Sequence, residues 1–247
     1  MMNRQMKMIE MLTKNEKLEV GKLSQELGVS EVTIRKDLST LEKRGLVRRE
    51  KGYAILNETN EMSRRIAMNY ETKLQIAQKA AEQVQDGETI MIESGSCCVL
   101  LAQVLADSKK DITMITNSVY IATNISGKHV KIILLGGEYQ PGFMASVGPV
   151  TQKCAQEFHV NKIFVGTDGF SKESGFTGED HTRVETLKVM TSRAAKVMLL
   201  MEAYKAERQG TVSFLQPSEI DSVFTEKTVN SNFVNLMCDH HINLYYI

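Results

Sequence analysis

Hydroxyl and basic side chains cluster in the N-terminal quarter of this 247-residue chain, in types and spacings that suit contacts to nucleic acid. Serine and threonine hydroxyls, arginine guanidinium groups and lysine ammonium groups donate hydrogen bonds to base edges and phosphate oxygens. The residues predicted to make such contacts are Ser30, Thr33, Arg35, Lys36, Arg48 and Arg49. The chemistry that this set indicates is recognition of double-stranded DNA.

Residues 20–39 have the pattern of a helix-turn-helix motif that would position the first four of these side chains. Gly28 supplies the backbone freedom that ends one helix, and Ser30 is a favourable N-cap for the next. Three apolar residues at helical spacing predict the buried face of the second helix. They are Ile34, Leu38 and Leu41. The opposite face carries Thr33, Arg35, Lys36 and Asp37. In such a motif the second helix enters the major groove and its early residues face base edges.

The flanking segments predict a complete winged helix-turn-helix over residues 1–56. Residues 4–14 carry apolar side chains at helical spacing and predict a supporting helix, whereas residues 46–56 alternate around Gly52 and predict a two-stranded wing. Twelve basic residues outnumber eight acidic ones within residues 1–56, while the whole chain has 30 of each sign. A basic head on an acidic body is typical of a protein whose head meets nucleic acid.

The remaining length predicts a second domain. Residues 57–70 are polar without a clear core pattern, which indicates a linker. Over residues 71–247, helical segments alternate with strand segments rich in Val, Ile and Leu. This alternation is typical of a mostly parallel, buried sheet with helices on both faces. The predicted fold is therefore an N-terminal winged helix-turn-helix joined to an α/β domain.

Small and polar residues follow several predicted strands, and open α/β sheets bind ligands beyond the carboxyl ends of their strands. Residues 94–98 join a strand to a helix N-terminus, where free N–H groups and the helix dipole favour a phosphate. Lys205 follows a later strand and suits a phosphate or a sugar hydroxyl. An ordinary turn and a solvated lysine are the alternatives. The residues predicted to contact a ligand are Ser94, Gly95, Ser96, Cys97, Cys98, Asp168, Gly169 and Lys205.

Residues 175–183 are polar and spaced by glycines, which predicts a loop that acts as a lid or a subunit contact, unless its charges are simply solvated. No apolar run approaches the roughly 20 residues that span a bilayer, and the N-terminal segment lacks the features of a secretory signal. The four cysteines form no CxxC pair and His240–His241 has no partner cluster, so we expect neither a metal nor a cofactor. Reduced thiols and a cytoplasmic location are expected.

Together these motifs resemble the DeoR family of bacterial transcriptional regulators over essentially the full length. The head carries the resemblance in LSQELGVSEVTIRKDLSTLEKRGLVRR, and the body carries it in ESGSCC, ITNS, LLGG, GTDGF and residues 196–205. The resemblance implies a sensor domain similar to sugar-phosphate isomerases, with a phosphorylated sugar as effector. It also implies repression of a carbohydrate-use operon through operator DNA.

Several positions depart from the pattern of that family. Glu93, Glu202 and Glu226 stand where the family often has aspartate, and Cys97 stands where it often has threonine. The longer carboxylates are expected to reshape the mouth of the pocket. Thiols are weaker hydrogen-bonding groups than threonine hydroxyls, so the identity of the sugar does not follow from the resemblance.

Two other functions compete with a ligand-responsive repressor. A sugar-phosphate isomerase would use Glu93, Asp168 or Glu202 as general base, but a basic winged head has no evident task in such an enzyme. An adaptor would use the second domain for dimerisation alone. We predict the non-enzymatic regulator, and a homodimer or homotetramer, because a symmetric dimer doubles a small DNA interface and reads two half-sites.

Overall fold

The computed structural model describes residues 2–15, 17–43, 45–57, 61–125 and 129–247. The chain divides into two compact units, one ending at Glu71 and one running from Thr72 to Ile247. None of the helices in the described ranges is long and apolar enough to cross a membrane.

The first unit combines helices with a small antiparallel sheet. Its elements are α1 (Met2–Asn15), β1 (Lys17–Glu19), α2 (Val20–Leu27), α3 (Glu31–Lys43), β2 (Val47–Glu50), β3 (Tyr53–Leu56) and α4 (Glu61–Ala67). Strand β3 lies between β1 and β2 and pairs antiparallel with both. The fully buried residues of α1, α2 and α3 are Met8, Ile9, Leu12, Leu23, Ile34, Leu38 and Leu41. The predicted winged helix-turn-helix is confirmed, and β1 adds a strand that the sequence did not predict.

Gly28 shapes the turn between α2 and α3. Its φ of 64° lies in the left-handed region, which a residue with a Cβ enters at a cost of about 1–2 kcal/mol. The Gly28 amide donates to the carbonyl of Gln25 and the Val29 amide donates to that of Ser24, and these bonds close the C-terminus of α2. The Ser30 Oγ then accepts a hydrogen bond from an α3 amide at 3.3 Å. Helix α3 therefore begins where the sequence predicts.

Asp37 differs from the sequence prediction, which placed it on the exposed face of α3. The residue is only 2% exposed. From α1, Arg4 Nε donates to its carboxylate at 2.5 Å and Gln5 Nε2 donates at 3.1 Å. The prediction was wrong because helical spacing shows which positions share a face but not which neighbouring helix brings a cation to them.

Residues 57–70 contain more core than their composition indicates. Residues 58–60 lie outside the described residues, but α4 follows directly, and its Met62 and Ile66 are fully buried. The next helix, α5 (Tyr70–Ala81), begins before the boundary between the units and continues past it. The described part of the predicted linker is therefore mostly helical.

The second unit alternates helices and strands. After α5 come β4 (Thr89–Ile92), α6 (Ser96–Ser108), β5 (Ile112–Thr116), α7 (Val119–Asn124), β6 (Val130–Leu134), β7 (Glu138–Gln140), β8 (Ala145–Val147) and α8 (Gly148–Gln156). There follow β9 (Val160–Gly166), β10 (Gly169–Ser171), β11 (Gly175–Gly178), α9 (His181–Thr191), β12 (Ala194–Leu200), β13 (Val212–Leu215), β14 (Ser222–Thr225), α10 (Ser231–Asp239) and β15 (Asn243–Tyr246). Short 3-10 turns span Ala203–Glu207 and Pro217–Glu219.

A parallel sheet forms the centre of this unit. Its seven strands in the described residues run in the order β15-β14-β12-β9-β4-β5-β6, and each neighbouring pair is parallel. Ile90, Met91 and Ile92 are all fully buried. Successive strand residues point to opposite faces, so both faces of the central sheet are covered. The predicted α/β fold is confirmed.

The prediction of a loop lid at residues 175–183 is wrong. Residues Gly175–Gly178 form the buried strand β11, which pairs antiparallel with β10 and β13. Gly175 has a φ of 69°, and a Cβ there would stand 2.4 Å from the Leu215 carbonyl oxygen. The glycines therefore mark close backbone packing rather than mobility, which polarity and spacing alone do not distinguish.

Asp37→Ala should destabilise the first unit by about 2–3 kcal/mol, because it leaves the partly buried Arg4 guanidinium without its carboxylate. Hydrogen exchange of the α1 and α3 amides in the full chain measures this loss. Glu26→Ala removes an exposed carboxylate from α2 and should change protection by less than about 0.5 kcal/mol. Equal protection in the two variants would show that the Arg4–Asp37 pair contributes no stability.

Candidate nucleic-acid interface and ligand site

Helix α3 presents its predicted DNA-contacting residues at the surface. Arg35, Lys36 and Ser30 are exposed, and Thr33 is half-buried. The Ser30 and Thr33 hydroxyl oxygens lie 3.0 Å apart and share a hydrogen bond. Val32 is 73% exposed, and an exposed valine near the start of this helix suits apolar contact with a thymine methyl group. Sequence reasoning missed it, although an apolar residue among the polar ones was a visible signal.

Neighbouring carboxylates pair with the three arginines predicted to contact DNA. The pairs are Arg35–Glu31, Arg48–Glu50 and Arg49–Glu42. Arg35 Nη2 lies 2.5 Å from its partner. Arg49 donates from Nε at 2.8 Å and from Nη2 at 2.5 Å. In the free head, each of these guanidinium groups therefore has a carboxylate as its nearest anion.

The predicted wing is a hairpin of β2 and β3. Its turn residues Lys51 and Gly52 have φ values of 37° and 89°, as two-residue hairpin turns of the primed types require. Arg48 and Arg49 are exposed on β2. Lys17 lies on β1, the remaining strand of this sheet, and its Nζ is 4.3 Å from the centroid of the Tyr53 ring. The wing thus holds basic groups on an ordered ribbon.

Residues 94–98 lie directly after β4 in the sheet. Gly95 is the N-cap of α6, and no side-chain hydrogen bond caps that helix. Ser94, Ser96, Cys97 and Cys98 are buried. The Ser94 Oγ has no hydrogen-bond partner among the described residues. The first amides of an uncapped helix and its dipole favour an anion, so the segment has the chemistry of an anion site.

The Glu93 carboxylate folds back over this segment. Glu93 is 2% exposed, and its Oε1 accepts a hydrogen bond from the Gly166 amide, at the end of β9, at 2.9 Å. A Cβ on Gly95 would stand 2.0 Å from the same oxygen, so the missing side chain leaves room for the carboxylate. Glu93 Oε2 is buried without a hydrogen-bond partner in the described part of the chain. One carboxylate oxygen is therefore available to a ligand donor.

Two buried lysines share the carboxylate of Glu202. The Nζ atoms of Lys73 and Lys205 lie 3.7 and 3.8 Å from Glu202 Oε2. Lys205 Nζ also donates to the Thr167 carbonyl oxygen at 2.8 Å. The structure thus places Lys205 at the end of β9, next to the strand-to-helix segment after β4.

Lys73 is a residue that sequence reasoning missed. It lies on α5 and is 4% exposed. It falls within the buried stripe formed by Tyr70, Leu74 and Ala77. A lysine inside an apolar helical stripe was the available signal, because lysine is almost never fully buried unless it has a partner.

Burial raises the pKa of the Cys97 thiol to about 11, and the positive charges of Lys205 and Lys73 offset part of that rise. Burial also raises the pKa of Cys98 well above its usual value, and the Glu93 carboxylate adds to the rise. Both thiols therefore stay protonated at neutral pH and are poor nucleophiles. Their contribution to the candidate site is therefore their position on the first turn of α6 and not their reactivity.

Asp168 and Gly169 follow β9 but differ in their surroundings. The Asp168 Oδ2 accepts a hydrogen bond from the Glu179 amide at 3.1 Å. A Cβ on Gly169 would stand 2.1 Å from the Arg208 carbonyl oxygen, and the Gly169 amide donates to Thr167 Oγ1 at 3.3 Å. Gly169 is thus a position of close backbone packing, and its amide bonds within the protein.

Within the described ranges, no group of three or more His, Cys, Asp or Glu side chains is placed to hold a metal ion. The cysteines are free: Cys97 and Cys98 are buried, Cys154 is half-buried and Cys238 is exposed. At the strand ends the described residues place carboxylates and ammonium groups beside backbone amides.

An exposed helix-turn-helix face with a basic wing defines the class of DNA-binding transcriptional regulators, here joined to an α/β unit. The model of the DeoR-like helix-turn-helix domain matches residues 4–60. The model of the DeoR C terminal sensor domain matches residues 68–227. The chain belongs to the DeoR family of transcriptional regulators.

Relatives match both units together. The HTH-type transcriptional regulator GolR of Listeria innocua is 30% identical over 232 residues, covering 92% of this chain and 91% of that protein. The glycerol-3-phosphate regulon repressor of Escherichia coli is 27% identical over 240 residues, covering 96% and 95%. Among solved structures, ribose 5-phosphate isomerase A from Methanocaldococcus jannaschii matches with a TM-score of 0.41 and 18% identity, covering 56% of this chain and 54% of that one.

At pH 8, maleimide should modify Cys238 and spare Cys97 and Cys98. A pKa of about 11 leaves about 0.1% of Cys97 as thiolate at that pH, and burial blocks access. Mass spectrometry of the peptides measures the modification of each cysteine. The chain unfolded in urea is the control and should react at all four cysteines. Equal rates in the folded chain would contradict the burial of these thiols.

Proposed function

We propose that this protein is a cytoplasmic repressor of a carbohydrate-use operon, and that a phosphorylated sugar changes its affinity for operator DNA. One observation carries the effector part: the uncapped N-terminus of α6 lies next to the buried lysines Lys73 and Lys205. The exposed face of α3 supports the DNA part. The Escherichia coli relative, whose name refers to a phosphorylated polyol, supports the class of effector.

The buried charges fit a ligand that has an anion at one end and hydroxyls at the other. Lys73 and Lys205 lie within 4 Å of the Glu202 carboxylate, and the Glu93 carboxylate lies over the same strand-to-helix segment, so the two positive and two negative charges sum to zero. A phosphate would compete with Glu202 for the lysines while it accepts hydrogen bonds from the α6 amides. A sugar hydroxyl would donate to Glu93 Oε2, which lacks a hydrogen-bond partner among the described residues.

The isomerase alternative is less favoured. A general base needs a carboxylate that is placed to take a proton from the substrate. Glu93 accepts from the Gly166 amide, Asp168 accepts from the Glu179 amide, and Glu202 lies between two lysines. The contacts of Asp168 and Glu202 suit a structural acceptor and a counter-ion. Glu93 Oε2 can still accept a hydrogen bond from a ligand hydroxyl, so the isomerase is disfavoured by the winged head, which has no evident task in such an enzyme.

We also infer a homodimer or homotetramer. A single winged head offers a small interface, whereas a symmetric dimer doubles it. The second unit exposes Leu134, Tyr139 and Val150 by 42%, 48% and 58% of their surfaces. Exposed apolar side chains of this size are candidates for contacts between subunits.

Arg35→Ala and Lys36→Ala should each weaken operator binding, by about 5- to 150-fold where a base contact is lost. Arg35 pairs with Glu31, whereas Lys36 has no ion-pair partner among the described residues. Removing Arg35 also uncovers a carboxylate that repels DNA, so we expect the larger loss there. Fluorescence anisotropy measures the operator affinity of both variants over a salt series, with an operator fragment selected from random DNA.

Lys196→Ala is the control for these variants, because it removes an exposed positive charge from the second unit and should bind the operator like the parent. Footprinting should show two half-sites if the protein is a symmetric dimer. Parental affinity in both head variants would mean that α3 does not form the recognition surface.

Gly95→Asp should abolish the response to a phosphorylated sugar while it spares operator binding. The new side chain fills the space in front of α6, displaces the Glu93 carboxylate and adds a negative charge. Operator affinity is titrated with a panel of sugar phosphates and their dephosphorylated analogues. An active effector should change that affinity by about 5- to 150-fold in the parent, the usual range of coupling between two sites.

Gly136→Asp is the matched control, because Gly136 is exposed and a Cβ there meets nothing within 4 Å. It should respond like the parent. The phosphate-site proposal fails if Gly95→Asp keeps the full response, or if the dephosphorylated sugar acts as strongly as its phosphate ester.

A further inference from the structure

One buried arginine of the second unit has no carboxylate partner in the part of the chain that the structure describes. Arg183 lies on the first turn of α9 and is 7% exposed. Among the described residues, no ion pair or hydrogen bond involves its side chain, and its Nε is buried without a partner. The guanidinium lies over the Phe143 ring, with Cζ 4.1 Å from the ring centroid. An aromatic face attracts a cation electrostatically but carries no negative charge to neutralise it.

The other buried cations of the second unit in the described ranges are compensated differently. Lys73 and Lys205 both lie within 4 Å of Glu202. A buried charge without a partner is strongly unfavourable, and a guanidinium remains charged at any ordinary pH. Glu202 pairs with Lys73 and Lys205, whereas none of the described carboxylates pairs with Arg183.

An unused acceptor accompanies this unused donor. The Asp180 Oδ1, which caps α9, accepts hydrogen bonds from the Arg183 amide at 2.7 Å and from Gln140 Nε2 at 3.4 Å. The Gln140 Oε1 is buried and has no hydrogen-bond partner among the described residues. Asp180 thus holds Gln140 close to the backbone of Arg183. Among the described residues, Gln140 Oε1 and Arg183 Nε both remain without a hydrogen-bond partner.

We propose that Arg183, Phe143 and Gln140 form a binding site for an oxyanion. These residues come from β7, the β7–β8 turn and α9, so they share no residue with the segment after β4. A phosphate or carboxylate group matches the guanidinium fork with two oxygens. Phe143 lies against the guanidinium and supplies no oxygen to it, so the anion would supply the oxygen acceptor that this side chain lacks among the described residues. The Gln140 Oε1 then accepts a hydrogen bond from a hydroxyl or amine of the same molecule.

The test is an NMR titration of the 15N-labelled full chain with inorganic phosphate or acetate at constant ionic strength. The Nε–Hε resonance of Arg183 is identified by its contacts to the Phe143 ring protons and by its loss in Arg183→Lys. We expect it to shift and saturate with one of the anions, which distinguishes a phosphate from a carboxylate ligand. The shift should persist in Gly95→Asp, which separates this site from the proposed effector site.

A thermal-shift series supplies the second measurement. In the Gly95→Asp background, the rise in Tm with the active anion should require about tenfold more anion after Arg183→Lys, because lysine keeps the charge but loses the fork. Arg208→Lys is the matched control, since Arg208 is exposed and pairs with Glu179, and it should behave like the background.

Three results would overturn the proposal. One is an Arg183 resonance that does not move with either anion. Another is a rise in Tm that is unchanged by Arg183→Lys, which would place the anion elsewhere. The third is a resonance that moves with protein concentration and not with the anions, which would identify a carboxylate of a second copy of the chain as the partner.

Discussion

Parallel pairing of the central strands is the constraint on which the buried charge cluster of the second unit depends. Because every strand of that sheet ends at the same edge, residues that are far apart in the chain meet there. Glu93 follows β4 and binds the Gly166 amide at the end of β9, while Lys205 follows β12 and binds the Thr167 carbonyl. An antiparallel strand in the centre would send one partner of each contact to the opposite edge. The buried charges therefore follow from topology more than from any single motif.

The sequence predicted the elements that local preferences determine. The cap at Ser30, the turn at Gly28 and the apolar runs of the sheet each specify their own conformation, and the structure contains them. The sequence did not predict contacts between segments that are far apart in the chain. The burial of Asp37 depends on α1, and the burial of β11 depends on pairing with β10 and β13. Both segments are polar, and their composition therefore predicted exposure to solvent. Their polar groups are buried because neighbours that are remote in the chain form hydrogen bonds with them.

The candidate ligand site was predictable as a location but not as chemistry. A strand followed by small residues and a helix indicates residues 94–98, and that inference needs no tertiary information. The orientation of Glu93 and the partnership of Lys73 with Glu202 need the folded sheet. Gly169 shows the converse case: a glycine after a strand suggests a ligand, but the backbone of Arg208 already occupies the space beside it. A glycine in the sequence indicates that another group comes close to the backbone, but it does not show whether that group is a ligand or another part of the chain.

The carboxylates that hold Arg35, Arg48 and Arg49 bear on how such a protein finds its site in a genome. An arginine that leaves a carboxylate for a DNA phosphate trades one ion pair for another, so the net gain from a phosphate alone is small. Random sequence offers phosphates without matching bases, and it is therefore held weakly. A chain that is held weakly dissociates quickly and samples many positions per unit time. On the proposed function, the consequence of pairing within the free head is a lower affinity for competing sites and a faster search for the operator.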